Sequence, residues 1–130
     1  MIQIIIPGAP VPMQRPRMTK KGHVYSAQSQ IKHKILSDFR ANPEYALLKP
    51  IQRPIHLEMT FYMPIPASVS KKAREALKGT PHSCKSDLDN IIKFYFDVFN
   101  GILWEDDALI YSITAIKVYG GDPITVINIF

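Results

Sequence analysis

The sequence contains a single cysteine, Cys84, and this scarcity excludes several kinds of site. One thiol can form neither an intramolecular disulfide nor a multi-cysteine zinc centre, and it fits a reducing compartment. A glycine-rich phosphate loop, a Gly-x-Ser-x-Gly nucleophile motif and zinc-finger spacing are also missing from the chain. We therefore expect no small-molecule cofactor.

Long apolar segments are missing as well. No apolar run approaches the roughly 20 residues that a membrane-spanning helix needs. The first residues, 1–7, lack the basic region and the long apolar core of a signal peptide. We expect a cytoplasmic protein without a membrane partner.

Charge is unevenly distributed along the 130 residues, a length that predicts a single domain over 1–130. The net charge is +6 over residues 1–40, +4 over 41–86 and −5 over 87–130. A basic body with one acidic region suits a polyanionic ligand that lysine and arginine hold around a metal ion. Many soluble proteins are mildly basic, however, so charge alone favours nucleic acid only weakly.

Hydrophobic periodicity predicts both strands and helices. Segment 55–63 alternates strictly, which predicts a strand with one buried side. Apolar residues at helical spacing predict a helix over 28–40, with Ile31, Ile35, Leu36 and Phe39 on its apolar face. A short basic helix is predicted over 70–78, and the other predicted strands are 2–6, 23–26, 111–119 and 124–130. The last two strands are expected to form a hairpin through the turn 120–123.

A loop over 7–22 is too basic and too rich in proline to be part of the core. One interpretation is a solvated connection between two elements. The other is a phosphate-binding arm, because the planar guanidinium of arginine donates two parallel hydrogen bonds to a phosphate. The residues of this candidate arm are Arg15, Arg17, Lys20 and Lys21.

Acidic residues both precede and follow the apolar segment 89–100, which predicts a buried helix. Asp87 and Asp89 lie at its start, with Asp89 as the expected N-cap, and Glu105-Asp106-Asp107 follows its end after a short link. Acids that start and end one helix and turn can fold back to share a divalent cation, and hard cations such as Mg²⁺ prefer oxygen ligands. The alternative is that the first pair only caps the helix and interacts with its dipole.

Lys93 lies one helical turn after Asp89, on the same face. A lysine beside a metal-bound phosphate can stabilise the charge that develops there or protonate a leaving oxygen. The alternative is a surface ion pair with Asp89 or Asp97, worth only about 0.2–0.5 kcal/mol. Asp97 itself lies about 12 Å further along the helix than Asp89, so we expect for it either a structural role or a supporting role behind the metal ligands.

These residues together resemble a known family. The segments Lys85-Ser-Asp-Leu-Asp-Asn90 and Asn100-Gly-Ile-Leu-Trp-Glu-Asp-Asp107, with Lys93 between them, are similar to the RusA family of Holliday junction resolvases. The early segment Gln14-Arg-Pro-Arg17 and the segment that starts at Ser70 also resemble that family. The similarity covers nearly the whole chain.

The resemblance implies a small homodimeric endonuclease of α+β structure, with a small mixed sheet packed against a few helices. It implies cleavage of four-way DNA junctions by paired nicks during recombination and repair, with Mg²⁺, or alternatively Mn²⁺, as the cofactor. The residues that match the family's catalytic acids are Asp87, Asp89 and Asp107, and Lys93 matches its catalytic lysine. Asp106 matches the first acid of the closing pair, which makes it a further candidate metal ligand. A bacterial or phage origin is also implied.

The mechanism predicted from the residues agrees with that family. Asp87, Asp89 and Asp107 would bind the metal, and Lys93 would stabilise the charge that develops on the phosphate. The DNA backbone would be held by Arg15, Arg17, Lys20, Lys21 and Lys85. Two alternatives stay open: a branched-DNA-binding module of the same fold that does not cut, and a structural Ca²⁺-binding or partner-binding domain.

Overall fold

A mixed four-stranded sheet lies at the centre of the protein. The computed structural model describes residues 1–15, 17–25 and 27–130, except for the side chains of Arg17 and Tyr25. The elements in chain order are β1 (Ile2–Pro7), β2 (Arg17–Met18), β3 (Val24–Tyr25), α1 (Ser29–Ala41), β4 (Ile55–Pro64), α2 (Lys71–Leu77), α3 (Leu88–Phe99), a 3-10 turn (Asp107–Leu109), β5 (Ile110–Gly120) and β6 (Ile124–Ile129). The strand order β1-β6-β4-β5 and the three helices confirm the expected α+β fold with a small mixed sheet.

β4 is the centre of the core, as its alternating sequence predicts. Ile55, Leu57, Met59 and Phe61 are at most 1% exposed, whereas the alternate residues face the other side of the sheet. β1 is confirmed as a strand, but it is an edge strand with only one buried face. Ile4 and Ile6 are buried in it, and Ile5 between them is exposed.

The predicted hairpin between the last two strands is wrong. β5 pairs in parallel with β4, and β6 pairs antiparallel with the other side of β4, so β4 separates them. β5 ends close to β4, since a β-carbon at its last residue, Gly120, would lie 2.7 Å from Cβ of Tyr62. A glycine turn indicates a reversal of direction, but the strand with the most completely buried face takes the central position.

α3 packs on the buried face of the sheet through Ile91, Phe94, Tyr95, Val98 and Phe99. This burial explains why the helix is apolar around so much of its surface. α1 covers the core less than its periodicity predicts, because Phe39 is buried whereas Ile31 is 42% exposed.

α2 buries no residue, and its start and end agree with the sequence prediction. The Ala73 N–H donates to Ser70 Oγ at 3.3 Å, and Gly79 follows the helix with a φ of 80°. Within the described part of the chain, no helix has the length and apolar composition needed to cross a bilayer.

Candidate active site

The acids at the start of α3 are exposed and make few contacts. Asp87 occupies the N-cap position, and its side chain makes no capping hydrogen bond. The expectation that Asp89 is the N-cap is therefore wrong, because Asp89 lies inside the first turn. The half-buried Leu88 between them packs against the core, and the carboxylates on either side of it are left in solvent.

Lys93 contacts this pair as its spacing predicts. Its Nζ lies 3.8 Å from Asp89 Oδ2, and both side chains are well exposed, at 65% and 71%. An exposed pair of this kind adds little to stability. The same contact places an ammonium group one helical turn from Asp89, at the N-terminal end of α3, where the helix dipole favours negative charge.

The basic loop that follows β1 is attached to this end of α3. The Met13 N–H donates to the Asn90 carbonyl at 2.8 Å, and the Val11 N–H donates to Tyr95 Oη at 3.2 Å. Burial raises the pKa of the Tyr95 phenol. These two bonds place the residues just before Arg15 next to the exposed acids.

A buried glutamine fixes the same loop from the other side, and sequence reasoning missed it. Gln28 is 2% exposed. Its Nε2 donates to the Pro12 carbonyl at 2.7 Å, and its Oε1 accepts from the Gln14 N–H at 3.0 Å. The only sequence signal was a glutamine at the start of a predicted helix, next to a proline-rich loop.

Most of the candidate DNA-binding residues lie on an exposed arm, and Lys85 lies just before α3. β2 and β3 form a short antiparallel ribbon, and its tip is closed by a hydrogen bond from the Thr19 N–H to the His23 carbonyl at 2.8 Å. Four of the predicted phosphate contacts are exposed and make no ion pair with other described residues: Arg15, Lys20, Lys21 and Lys85. The Arg17 side chain and Ser26, the end of the predicted strand 23–26, lie outside the described residues.

The acid that follows α3 is held by two hydrogen bonds. The indole N–H of Trp104 donates to Asp107 Oδ1 at 2.7 Å, and the Asp107 N–H donates to Asn100 Oδ1 at 3.0 Å. Trp104 is fully buried, so it belongs to the core. Sequence reasoning missed its second role, which is to orient the half-buried carboxylate of Asp107.

Asp106 has a different task from its neighbour. It is the N-cap of the 3-10 turn, and its Oδ1 accepts from the Ala108 N–H at 2.9 Å. One oxygen of Asp106 therefore holds local backbone, whereas one oxygen of Asp107 is engaged by the side chain of Trp104, so each acid keeps one oxygen for another partner.

The three candidate carboxylates do not converge within one chain. Asp87 is the N-cap of α3, and Asp107 is bonded to the side chain of Asn100, the C-cap. At about 1.5 Å per residue, these two caps lie about 20 Å apart along the helix. Accordingly, no three His, Cys, Asp or Glu side chains of the described residues are grouped so that they could hold a metal ion. Among the described residues, the chain therefore does not fold back to bring these three acids together, and the shared metal site stays a prediction.

Asp97 has the structural role that its position predicts. Its carboxylate pairs with Nζ of Lys32, which joins α3 to α1. The same ammonium lies 5.9 Å from the centroid of the Phe94 ring. Asp97 is therefore engaged by Lys32 and is not a candidate metal ligand beside the acids at either end of the helix.

The segment that leads into Asp87 is bonded along the free edge of β5. The His82 N–H donates to the Lys117 carbonyl at 3.1 Å, and Nζ of Lys117 donates to the Cys84 carbonyl at 2.7 Å and to the Ser86 carbonyl. Partial burial, together with the Lys117 ammonium, lowers the pKa of His82. Sequence reasoning did not identify Lys117, and its position in a predicted strand gave no signal for this role.

Comparisons with known proteins identify the family of this chain. The family model described as "Endodeoxyribonuclease RusA" matches residues 7–130. A curated relative, "Uncharacterized protein YqaN" of Bacillus subtilis (strain 168), is 28% identical over 132 aligned residues, which cover 94% of this chain and 90% of the relative. Since the family model covers nearly the whole chain, this protein belongs to the RusA endodeoxyribonuclease family.

Proposed function

We propose that residues 1–130 act as one endonuclease domain that resolves four-way DNA junctions by paired, Mg²⁺-dependent nicks. Family membership supports a nuclease that acts on branched DNA. The observation that carries the proposal is the pair of exposed carboxylates of Asp87 and Asp89 at the start of α3. Lys93 lies one turn after Asp89, and the basic arm is attached to the same end of the helix.

The donor set fits a hard divalent cation. Asp87, Asp89 and Asp107 offer only carboxylate oxygens, which suit Mg²⁺ or Mn²⁺ and do not suit a soft metal. When bound, the ion supplies positive charge that polarises the scissile phosphate and activates the attacking water. Asp87 and Asp89 would bind from the start of α3, and Asp107 would bind through the oxygen that Trp104 does not occupy.

A second copy of the chain completes this set. Because Asp107 is bonded to Asn100, which lies about 20 Å from Asp87 along α3, we take one chain alone to supply only part of the ligands. A twofold axis across α3 would make the two copies of the helix antiparallel and bring the end of one beside the start of the other. The proposed homodimer would then contain two equivalent metal sites, which suits paired nicks on opposed strands.

The remaining roles follow from charge and exposure. Lys93 would stabilise negative charge on the phosphate, since its ammonium lies at the same helix end as the two acids. Arg15, Lys20, Lys21 and Lys85 would hold the DNA backbone, and Arg17 would join them. Such contacts release counterions, so binding should weaken steeply as salt rises. Binding that is insensitive to salt would contradict this assignment.

The decisive experiment is a nicking assay on a synthetic four-way junction and a matched linear duplex, with Mg²⁺ and with EDTA. The variants are Asp87→Asn and, as a control, Asp38→Asn, which changes an exposed acid on α1. We expect symmetric, Mg²⁺-dependent nicks on the junction alone, lost in Asp87→Asn and retained in Asp38→Asn.

Other outcomes would revise the proposal in defined ways. If both DNAs are cut, the protein is a nuclease but it does not select four-way junctions. Tight junction binding without any cleavage in Mg²⁺ or Mn²⁺ would show that the protein is a branched-DNA-binding module and not a nuclease.

A further inference from the structure

An approach segment, residues 79–86, runs along the outer edge of β5 and ends immediately before Asp87. Its first half is bonded to the strand like an additional short strand. The Gly79 N–H donates to the Tyr119 carbonyl at 2.8 Å, and the Tyr119 N–H donates to the Thr80 carbonyl at 2.9 Å. Since β5 is an edge strand, the approach segment also covers backbone groups that the sheet leaves unpaired.

The second half of the approach segment is held by one side chain. The half-buried Lys117 ammonium donates to the carbonyls of Cys84 and Ser86, which are two residues apart. Hydrogen bonds from a charged donor are roughly twice as strong as neutral ones, so this is a firm attachment. The acidic third of the chain, 87–130, has only two basic residues, Lys93 and Lys117, and both lie at this end of α3.

We infer that Lys117 is a positioning residue, which holds the Ser86 carbonyl and so fixes the place from which the Asp87 carboxylate reaches a metal ion. The Asp87 side chain makes no capping hydrogen bond, so the position of its carboxylate depends on the backbone that carries it. That backbone is fixed on one side by α3 and on the other by the Ser86 carbonyl, which Lys117 holds. The inference rests on the proposed function, because it takes Asp87 to be a metal ligand.

A direct phosphate contact is the competing role for this ammonium. Two of its three donors are engaged by carbonyls, and the third is left for another partner. The two roles make different predictions. A phosphate contact would change DNA affinity when no metal is present, whereas a positioning residue would change metal affinity when no DNA is present.

The experiment uses the full-length protein and three variants. Lys117→Met removes the ammonium and retains an apolar stem, Lys117→Arg retains several donors, and Lys34→Met is the control for an exposed lysine that pairs with Asp38. The measurements are backbone hydrogen exchange of residues 83–90 in EDTA, Mn²⁺ binding by calorimetry without DNA, and junction binding in EDTA. The Mg²⁺ dependence of nicking is measured last.

In Lys117→Met we expect faster exchange over residues 83–90 and unchanged junction binding in EDTA. Mn²⁺ affinity should fall about 10- to 100-fold, which is typical when a residue that orients a metal ligand is removed. The Mg²⁺ concentration needed for half-maximal nicking should rise by a similar factor, with a smaller change in the rate at saturating Mg²⁺. Lys117→Arg should restore most of the metal affinity, and Lys34→Met should match the unaltered protein.

The contrary results are equally specific. Unchanged exchange over 83–90, or faster exchange with unchanged Mn²⁺ affinity, would overturn the positioning role. Weaker junction binding in EDTA would assign Lys117 to the phosphate instead. If the unaltered protein neither binds Mn²⁺ nor nicks DNA, the proposed function fails with it; if it does both and Lys117→Met behaves identically, only this inference fails.

Discussion

The two ends of α3 carry the same kind of residue in opposite surroundings. At the start, Asp87 and Asp89 are exposed, and Nζ of Lys93 lies 3.8 Å from Asp89 Oδ2. At the other end, Asp107 is half-buried and held by Trp104 and Asn100. An acid beside the positive end of a helix dipole needs little further support, whereas one near the negative end needs specific donors. The difference indicates that Asp87 and Asp89 are accessible to a ligand, whereas the carboxylate of Asp107 is already oriented before a ligand binds.

We expect the largest loss of nicking when Asp107 is changed, and little loss when its neighbour Asp106 is changed. Asp107→Asn should reduce nicking by more than about 100-fold, because the loss of a ligand should exceed the loss of a residue that only orients one. Asparagine can still accept from Trp104, so the fold should be retained, which circular dichroism would check.

Asp106→Asn is the matched control for this change. Asparagine caps helices about as well as aspartate, so the free energy of unfolding should stay within about 0.5 kcal/mol and nicking should be largely retained. A loss of nicking in Asp106→Asn as large as in Asp107→Asn would show that both acids bind the metal.

Mixing two inactive variants tests whether the ends of α3 meet across a dimer. If each site combines Asp87 of one copy with Asp107 of the other, a heterodimer of Asp87→Asn and Asp107→Asn contains one intact site. After random exchange of subunits in an equal mixture, about a quarter of all sites should be intact, and single-strand nicking should reappear. If a single chain supplied both acids, the mixture would stay inactive after denaturation and joint refolding.

The smallest expected effect concerns the orientation of Asp107. Trp104→Phe removes the donor to the carboxylate and should lower the free energy of unfolding by about 2 kcal/mol, the usual range for a hydrogen bond to a charged group. It should also slow nicking at saturating Mg²⁺, because the carboxylate is no longer fixed in direction.

The control for Trp104→Phe is Phe99→Leu, which alters a buried ring that makes no bond to the carboxylate. It should destabilise the protein, as urea unfolding would show, and leave nicking at saturating Mg²⁺ unchanged. Equal loss of nicking in both variants would mean that Trp104 acts only through stability.

Local pattern was sufficient to predict most elements of this protein. The strict alternation of β4, the apolar surface of α3 and the short basic segment 70–78 each correspond to an element that the structure contains. Patterns of this kind depend on neighbours a few residues away, so they are present in the sequence itself. The family resemblance rests on the same local segments, and the match over residues 7–130 confirms it.

The order of the strands and the separation of the acids were decided by tertiary structure. The sequence places Asp87 and Asp107 twenty positions apart, and that spacing is compatible either with a chain that folds back or with one that does not. The straight path of α3 across the sheet, and the bonds of Asp107 to Trp104 and Asn100, decide against the first. Likewise, Lys117 and Ser86 meet only because the approach segment lies on the edge of β5. Contacts between residues far apart in the chain depend on which faces the core buries, and no local pattern records that choice.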